Sequence, residues 1–223
     1  MSSPTRTFGG ESAADRVAGR RRRLLDAALD VVGERGVHDF TMTAVCRAAG
    51  LTERYFYESF ARREDLLAAL FDSAAAAALD RATGAADVVA PLDLHERARV
   101  AVGAVTALLA ADPRVARLYR EAVGHPVLAA RRQDTVTAFA TFLARIVADA
   151  RPALRGHDDL RVDTVVLTGG IVDAVGSWLD GRLPVTQDAL VARCARLVVA
   201  AGDSPAADLP TADHLPTATP PRE

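Results

Sequence analysis

The sequence predicts an all-α fold. Ala, Leu and Arg recur at helical spacing through most of the 223 residues, and Ala-rich stretches such as residues 73–79 favour helix intrinsically. No run of alternating β-branched residues is bounded by hairpin turns. Gly and Pro interrupt the helical pattern at intervals that divide it into about nine helices.

The first helix is predicted over residues 15–34. Its apolar side chains share one face, as Leu24 and Ala28 show, and Gly36 supplies a left-handed stop. Ser12 and Asp15 form a pair that resembles a capping box at its start. We therefore expect this helix to pack by one face only.

A helix-turn-helix is predicted directly after the first helix. Thr41 is placed to cap a short helix that ends at Ala49, and Gly50 permits a sharp turn. Thr52 then caps another short helix that runs to Phe60. Two short helices joined by a tight Gly turn are typical of this motif.

Composition divides the chain into four segments. Residues 1–14 are small and polar and residues 203–223 contain five Pro, so both are predicted to be disordered tails. Between them we predict a helix-turn-helix domain over residues 15–62 and a second helical domain over residues 63–202. These are called the head and the body below.

The formal net charge of −2 conceals an asymmetry between head and body. Residues 16–63 carry ten Arg and six acidic residues, so this segment is basic although the whole chain is slightly acidic. A basic segment on an acidic chain indicates a head that binds a polyanion and a body with another role.

Cysteine usage and hydropathy restrict the cellular compartment and the kinds of site that the sequence allows. Cys46 and Cys194 lie far apart, and neither has a Cys or His at a spacing that suits zinc. We expect a reducing cytoplasm, no structural metal and no cofactor. No uninterrupted apolar stretch reaches 18 residues and no apolar segment follows a basic N-terminus, so neither a membrane span nor a secretory signal is predicted.

Residues 23–70 carry a combined motif with fixed spacing. It consists of Gly36, Thr41, Ala49-Gly50, Thr52, Tyr57-x-x-Phe60 and Arg63-Glu64-x-Leu66. This stretch resembles the DNA-binding domain of the TetR family of transcriptional regulators. Cys46 and Arg63 stand where that family usually has Ala and Lys, and both substitutions preserve size or charge.

The resemblance implies a double-stranded DNA partner read by the third helix in the major groove. We expect Thr52, Glu53, Arg54 and Tyr57 to face outward, with Arg54 as a bidentate donor to guanine. Tyr55 adds an apolar or hydroxyl contact, and Glu53 either accepts from a cytosine amino group or pairs with an Arg. The expected phosphate contacts are Thr41, Thr43, Thr52, Tyr57 and Arg63.

The cluster of four Arg at residues 20–23 allows two interpretations. It either contacts phosphates or the minor groove, or it forms a solvated helix face. The sequence leaves both open.

For the body, the resemblance implies ligand binding and dimerisation. Two amphipathic helices, over residues 159–180 and 186–201, are expected to pair with a second copy, although packing within one chain is the alternative. The expected interface residues are Val166, Gly169, Gly170, Val191 and Val198. The expected effector-pocket residues are Phe71, Leu108, Leu118, Tyr119, Phe139 and Phe142, and the polar groups able to orient a ligand are Tyr119, His125, Gln133 and Asp134.

These observations predict a cytoplasmic homodimeric repressor that a small, largely apolar effector releases from a palindromic operator. An activator or effector-independent regulator, a scaffolding helical dimer and a small-molecule-modifying enzyme are the alternatives. The enzyme has no support from a Gly-rich phosphate loop, a nucleophile elbow or a His/Glu pair at metal-binding spacing.

Overall fold

The computed structural model describes residues 13–90 and 93–203. These residues form nine α-helices, two short 3-10 turns and no strand, which confirms the all-α prediction. The helices are α1 (Ala13–Arg35), α2 (Met42–Ala49), α3 (Glu53–Tyr57), α4 (Arg63–Val88), α5 (Leu94–Ala111), α6 (Pro113–Glu121), α7 (Pro126–Ala150), α8 (Asp158–Leu179) and α9 (Gln187–Gly202).

The bounds of α1 correct the N-terminal prediction slightly. This helix begins at Ala13, inside the segment predicted to be a tail. Ser12, half of the predicted capping pair, lies outside the described residues, as does nearly all of the predicted C-terminal tail.

Local chemistry fixes the turns of the helix-turn-helix as predicted. Gly36 and Gly50 adopt φ values of +83° and +60°, a region in which a side chain would be strained. The Thr41 hydroxyl accepts a hydrogen bond from the Ala44 N–H at 3.2 Å and so caps α2. Thr52 occupies the N-cap position of α3, but its side chain makes no capping hydrogen bond.

The core of the head extends beyond its three helices. Val45 and Phe56 are fully buried against the apolar face of α1. Leu66 and Phe71 of α4 and Leu118 of α6 complete the same cluster. The body therefore packs directly on the head through residues of α4, α6 and α7, which connects the two.

The body contains two further apolar clusters, formed mainly by α5, α7, α8 and α9. Val198 is completely buried, and Val191 is 5% exposed and lies against Gly103 of α5. The prediction that these two valines line a dimer interface was therefore wrong. Both pack inside their own chain, because α9 turns this face toward α5.

Helix α8 has the opposite character. Val162, Val165 and Val166 are 52%, 44% and 68% exposed, and a Cβ added to Gly169 or Gly170 would meet nothing within 4 Å. Within the described residues, α8 is the single helix long and apolar enough to cross a membrane, which by itself is weak evidence of a span. We call the surface formed by these five residues the α8 face.

Candidate nucleic-acid interface

Helix α3 is anchored by one side chain and presents the others to solvent. Phe56 is fully buried and packs edge to face on the Tyr57 ring, with 5.6 Å between ring centroids. Thr52, Glu53 and Arg54 are exposed, as expected. Tyr55 and Tyr57 are 37% and 59% exposed, so α3 offers a continuous outward surface for a partner.

Arg54 carries an accessible positive charge on this surface. Its side chain is 85% exposed, and its Nε lies 3.5 Å from Glu58 Oε1. Arg20 lies 3.0 Å from the other Glu58 oxygen. Glu58 is therefore shared between two Arg residues, which lowers the electrostatic cost of a carboxylate beside a DNA-binding surface.

The Arg cluster at the start of α1 has structural duties that the sequence does not reveal. The Arg20 and Arg21 guanidinium groups lie over the Tyr55 and Phe60 rings, 4.7 and 4.9 Å from the centroids. Arg23 donates to the Ala49 carbonyl at 2.7 Å, at the C-terminal end of α2. Arg22 is exposed and has no hydrogen-bond or ion-pair partner among the described residues.

Helix α2 contributes a second part of the outward surface. Thr41 and Thr43 are exposed, although the Thr41 hydroxyl is already engaged as a cap. Arg47, which sequence reasoning missed, lies one helical turn after Thr43, so the two share a face. Arg47 is exposed and has no ion-pair partner in residues 13–90 and 93–203, which leaves its charge available.

Arg63 connects α4 to the head. Its Nη1 donates to the Phe40 carbonyl at 3.0 Å and its Nε donates to Glu64 at 2.7 Å. The Glu64 pKa is lowered, chiefly by this hydrogen bond from Arg63. With 52% of its side chain exposed, Arg63 still presents charge to solvent while fixing the start of α4.

Cys46 belongs to the core rather than to this surface. It is 5% exposed, and burial together with the nearby Glu53 carboxylate raises the pKa of its thiol. A buried thiol of raised pKa reacts slowly, so Cys46 acts as a small apolar side chain.

The spacing of these residues is matched by a known family. Residues 24–70 match the family model described as bacterial regulatory proteins, tetR family. These residues form a TetR-family DNA-binding domain. The chain is accordingly a DNA-binding transcriptional regulator and not an enzyme.

Solved structures share the fold over most of the chain. The fatty acid degradation regulator FadR from Bacillus halodurans is 21% identical, with a TM-score of 0.67, and the match covers 80% of this chain and 97% of that one. FadR from Bacillus subtilis, in complex with stearoyl-CoA, is 20% identical with the same TM-score and covers 81% and 98% of the two chains. The multidrug binding protein EbrR, complexed with imidazole, is 21% identical with a TM-score of 0.60 over 80% and 94%. A comparison with curated proteins finds no match.

The body contains an apolar cavity of about 580 Å³. Its walls come from α4 to α8, and short alanine side chains on α4 and α5, such as Ala82 and Ala98, leave space between the helices. The charged residues that line the cavity are all partly or largely exposed to solvent, so they lie at its rim. Those residues are Arg120, Arg132, Asp173, Asp180 and Arg182.

Half of the six residues predicted to form the effector pocket line this cavity. Tyr119, Phe139 and Phe142 line it. Phe71 and Leu118 do not, because both are fully buried in the core of the head. Leu108 does not either, because the turn of α5 directs the neighbouring Leu109 inward instead. Of the predicted polar groups only Tyr119 is retained; the cavity is not lined by His125, Gln133 or Asp134.

Helix α6 joins the cavity to the head of the regulator. The Arg117 Nη1 donates to the Gly33 carbonyl at 3.0 Å, and Glu121 accepts from the Val37 N–H at 2.6 Å. Arg117 and Glu121 also bond each other at 2.6 Å. A Cβ on Gly33 would lie 2.5 Å from the Arg114 Cγ, so this glycine permits the close approach of α6 to α1. We call these contacts the α1–α6 joint.

Acid is expected to weaken the α1–α6 joint. Burial acts to raise the pKa of Glu121, but hydrogen bonds from Arg117 and the Val37 N–H outweigh it and hold the pKa below the ordinary 4.5. A lowered folded-state pKa adds stability above pH 4.5 that is lost as pH falls through the folded value. Glu121→Gln should therefore cost about 1–2 kcal/mol of unfolding free energy at pH 7, and this difference should shrink below pH 4.

Urea unfolding at fixed protein concentration measures this difference. Glu34→Gln, which removes an exposed carboxylate on α1, is the control and should change little at either pH. A Glu121→Gln penalty that stays constant from pH 7 to pH 3.5 would contradict the assignment.

Proposed function

We propose that this regulator is a homodimeric repressor of the bacterial cytoplasm, released from a palindromic operator by a small, largely apolar effector. One observation carries the proposal. Helix α6 lines the apolar cavity with Ala116 and Tyr119, and holds the end of α1 with Arg117 and Glu121. A ligand that moves α6 would thus move the DNA-binding head.

Base readout is assigned to α3, and positioning to the residues around it. Arg54 donates to a guanine edge, while Tyr55 and Glu53 contact neighbouring bases. Thr43 and Arg47 of α2 and Thr52 and Tyr57 of α3 contact backbone phosphates. Thr41 at the start of α2 and Arg63 at the start of α4 also contact phosphates. The exposure of these side chains supports the assignment.

Dimerisation is assigned to the α8 face. Exposure of the apolar α8 face to water is unfavourable, and two copies of the chain related by a two-fold axis would cover it. Gly169 and Gly170 have open space above them, which suits a close crossing with a second α8. The dimer would place two heads on half-sites about one helical turn, ~34–36 Å, or a multiple of it apart.

Coupling between effector and operator follows from linkage. A ligand that binds the DNA-free form more tightly must weaken DNA binding by the same factor. About 100-fold release requires ~2.7 kcal/mol of coupling, which is comparable to a few charge-assisted hydrogen bonds such as those of the α1–α6 joint.

Selection of bound duplexes from a random pool tests the head and the dimer together. A palindromic consensus with half-sites one helical turn or a multiple apart is expected, and apolar compounds that raise the melting temperature of the protein should then displace the operator. A consensus without symmetry would contradict the dimer. Saturable ligands that leave operator affinity unchanged would contradict effector control.

Arg63→Ala is expected to weaken binding to operator and to scrambled duplex by the same factor. Removing one phosphate contact per head should reduce the slope of log K against log salt by about 1 per head. Titrations at several salt concentrations measure both quantities. Arg99→Ala on α5, where Arg99 pairs with Glu96 in the body, is the control and should leave the slope unchanged. A loss confined to the operator would remove Arg63 from the phosphate contacts.

A further inference from the structure

Helix α3 is too short to hold its own orientation firmly. It has five residues, fewer than two turns, and a helix of this length is unstable without packing. Phe56 is the one buried side chain within it. A single buried anchor fixes the position of a short helix better than its rotation, so the direction in which Arg54 points depends on further contacts at the surface.

Arg20 of α1 makes two such contacts with one guanidinium group. The group lies over the Tyr55 ring, 4.7 Å from the centroid, and its Nη2 donates to Glu58 Oε2 at 3.0 Å. Tyr55 and Glu58 are three residues apart, so they lie on the same side of the helix. A rotation of α3 against α1 would therefore break at least one of these contacts.

Glu58 extends this constraint to Arg54. Its second oxygen, Oε1, lies 3.5 Å from Arg54 Nε, and among the described residues no other carboxylate pairs with Arg54. Arg20, Glu58 and Arg54 thus form a row that runs from α1 to the outward surface of α3. The row connects a residue outside the helix-turn-helix to the side chain assigned to base readout.

Arg20 itself presents little of its charge to DNA. Its side chain is 22% exposed, compared with 85% for Arg54. The Arg20 Nε is enclosed by the protein and has no hydrogen-bond partner among the described residues. Arg22, two residues further along α1, is exposed and lacks an ion-pair partner in the same part of the chain. A phosphate contact therefore fits Arg22, whereas the contacts of Arg20 are directed at α3.

We propose that Arg20 is a positioning residue for sequence recognition, which holds Tyr55 and Glu58 and so sets the angle at which α3 presents Arg54 to a base edge. This inference rests on the base readout by α3 proposed above. Duplexes of any sequence offer the same phosphates, so a misoriented α3 loses base contacts while phosphate contacts elsewhere persist. Loss of Arg20 should therefore reduce the preference for the operator.

Arg20→Gln tests the proposal in the full-length protein. The ratio of operator affinity to scrambled-duplex affinity should fall about 5- to 20-fold, because a cation–π contact and an ion pair that orient α3 are both lost. Titrations at one fixed salt concentration measure the ratio. Circular dichroism and thermal unfolding verify the fold. Arg20→Lys keeps a cation over Tyr55 and should give a ratio between those of the wild type and Arg20→Gln.

Arg22→Gln is the matched control. It removes the same charge from the same helix, at an exposed side chain without an ion-pair partner among the described residues. Loss of charge alone weakens binding to both duplexes alike, so Arg22→Gln should leave the ratio within twofold of the wild-type value.

A double variant tests whether Arg20 acts through Glu58. Glu58→Gln should also lower the ratio, because Arg54 loses the carboxylate that orients it. Adding Arg20→Gln to Glu58→Gln should then lower the ratio by a smaller factor than Arg20→Gln does in the wild type. Fully additive losses would show that Arg20 acts independently of Glu58 and would overturn the proposed row.

Two further results would overturn the positioning role. If Arg54→Ala lowers the ratio and Arg20→Gln does not, α3 reads bases without help from Arg20. If Arg20→Gln weakens both duplexes equally and reduces the salt slope by about 1 per head, Arg20 is a phosphate contact. A ratio that changes in neither Arg54→Ala nor Arg20→Gln would instead contradict base readout by α3, and with it the positioning role.

Discussion

Replacing Val166 by aspartate is expected to give a folded protein that no longer dimerises and binds its operator about 10²–10⁴-fold more weakly. Val166 is 68% exposed within one chain, so the carboxylate stays hydrated in the monomer. In the proposed dimer it would be buried near its symmetry copy, without a cation to pair with. Loss of the second head removes the advantage of simultaneous binding at two half-sites.

Light scattering and sedimentation measure the association state, circular dichroism measures folding, and titration of a labelled operator measures affinity. Val198→Asp provides the contrast, because Val198 is completely buried within its own chain. An unpaired carboxylate there should cost about 4–5 kcal/mol or more and abolish folding. A wild-type protein that is a folded monomer, or a Val166→Asp protein that remains dimeric, would contradict the α8 face as the interface.

The head was predictable because local rules determine most of it. Gly36 and Gly50 adopt left-handed backbone conformations that few other residues tolerate, and Thr41 forms the expected cap. The burial of Phe56 follows from helical periodicity. The positions of Arg20 and Arg23 did not follow, because their partners on α3 and α2 are distant in sequence and no periodicity relates them.

The body was predicted less accurately because an apolar stripe does not specify what covers it. Val166 and Val198 look alike in sequence, yet one is exposed and the other lies in the core of its own chain. On α5 a difference of one residue, Leu109 in place of Leu108, changed the predicted lining of the cavity. Such a choice depends on helix rotation, which only packing against neighbouring helices fixes.

The α1–α6 joint shows a further limit of sequence reasoning. Arg117 and Glu121 form an i, i+4 pair that is visible in the sequence and typical of any exposed helix. Their partners at Gly33 and Val37 lie 84 residues away, so the connection between cavity and head appears only in three dimensions.

Arg54→Ala is expected to cost about 1–3 kcal/mol per head on the operator and to relax base preference at one position of each half-site. The Arg54 side chain is 85% exposed, and its Nε is near Glu58, which leaves the terminal nitrogens free to face a guanine. Since a dimer carries two copies, the two losses add if the heads act independently. Titrations against the selected operator, against single-base variants and against a scrambled duplex measure the effect.

Arg54→Lys separates base readout from simple charge. Lysine keeps the positive charge but lacks the planar fork that donates two hydrogen bonds to one guanine. If Arg54 reads a base, Arg54→Lys should lose most of the operator preference while it keeps most of the affinity for scrambled DNA, and Arg54→Ala should lose both. The accessibility of the Arg54 guanidinium favours this result. Glu58 can orient this guanidinium without fully neutralising it, because Glu58 also pairs with Arg20. Equal losses on operator and scrambled duplex in Arg54→Ala, restored by Arg54→Lys, would make Arg54 a phosphate contact and assign base readout to other residues of α3.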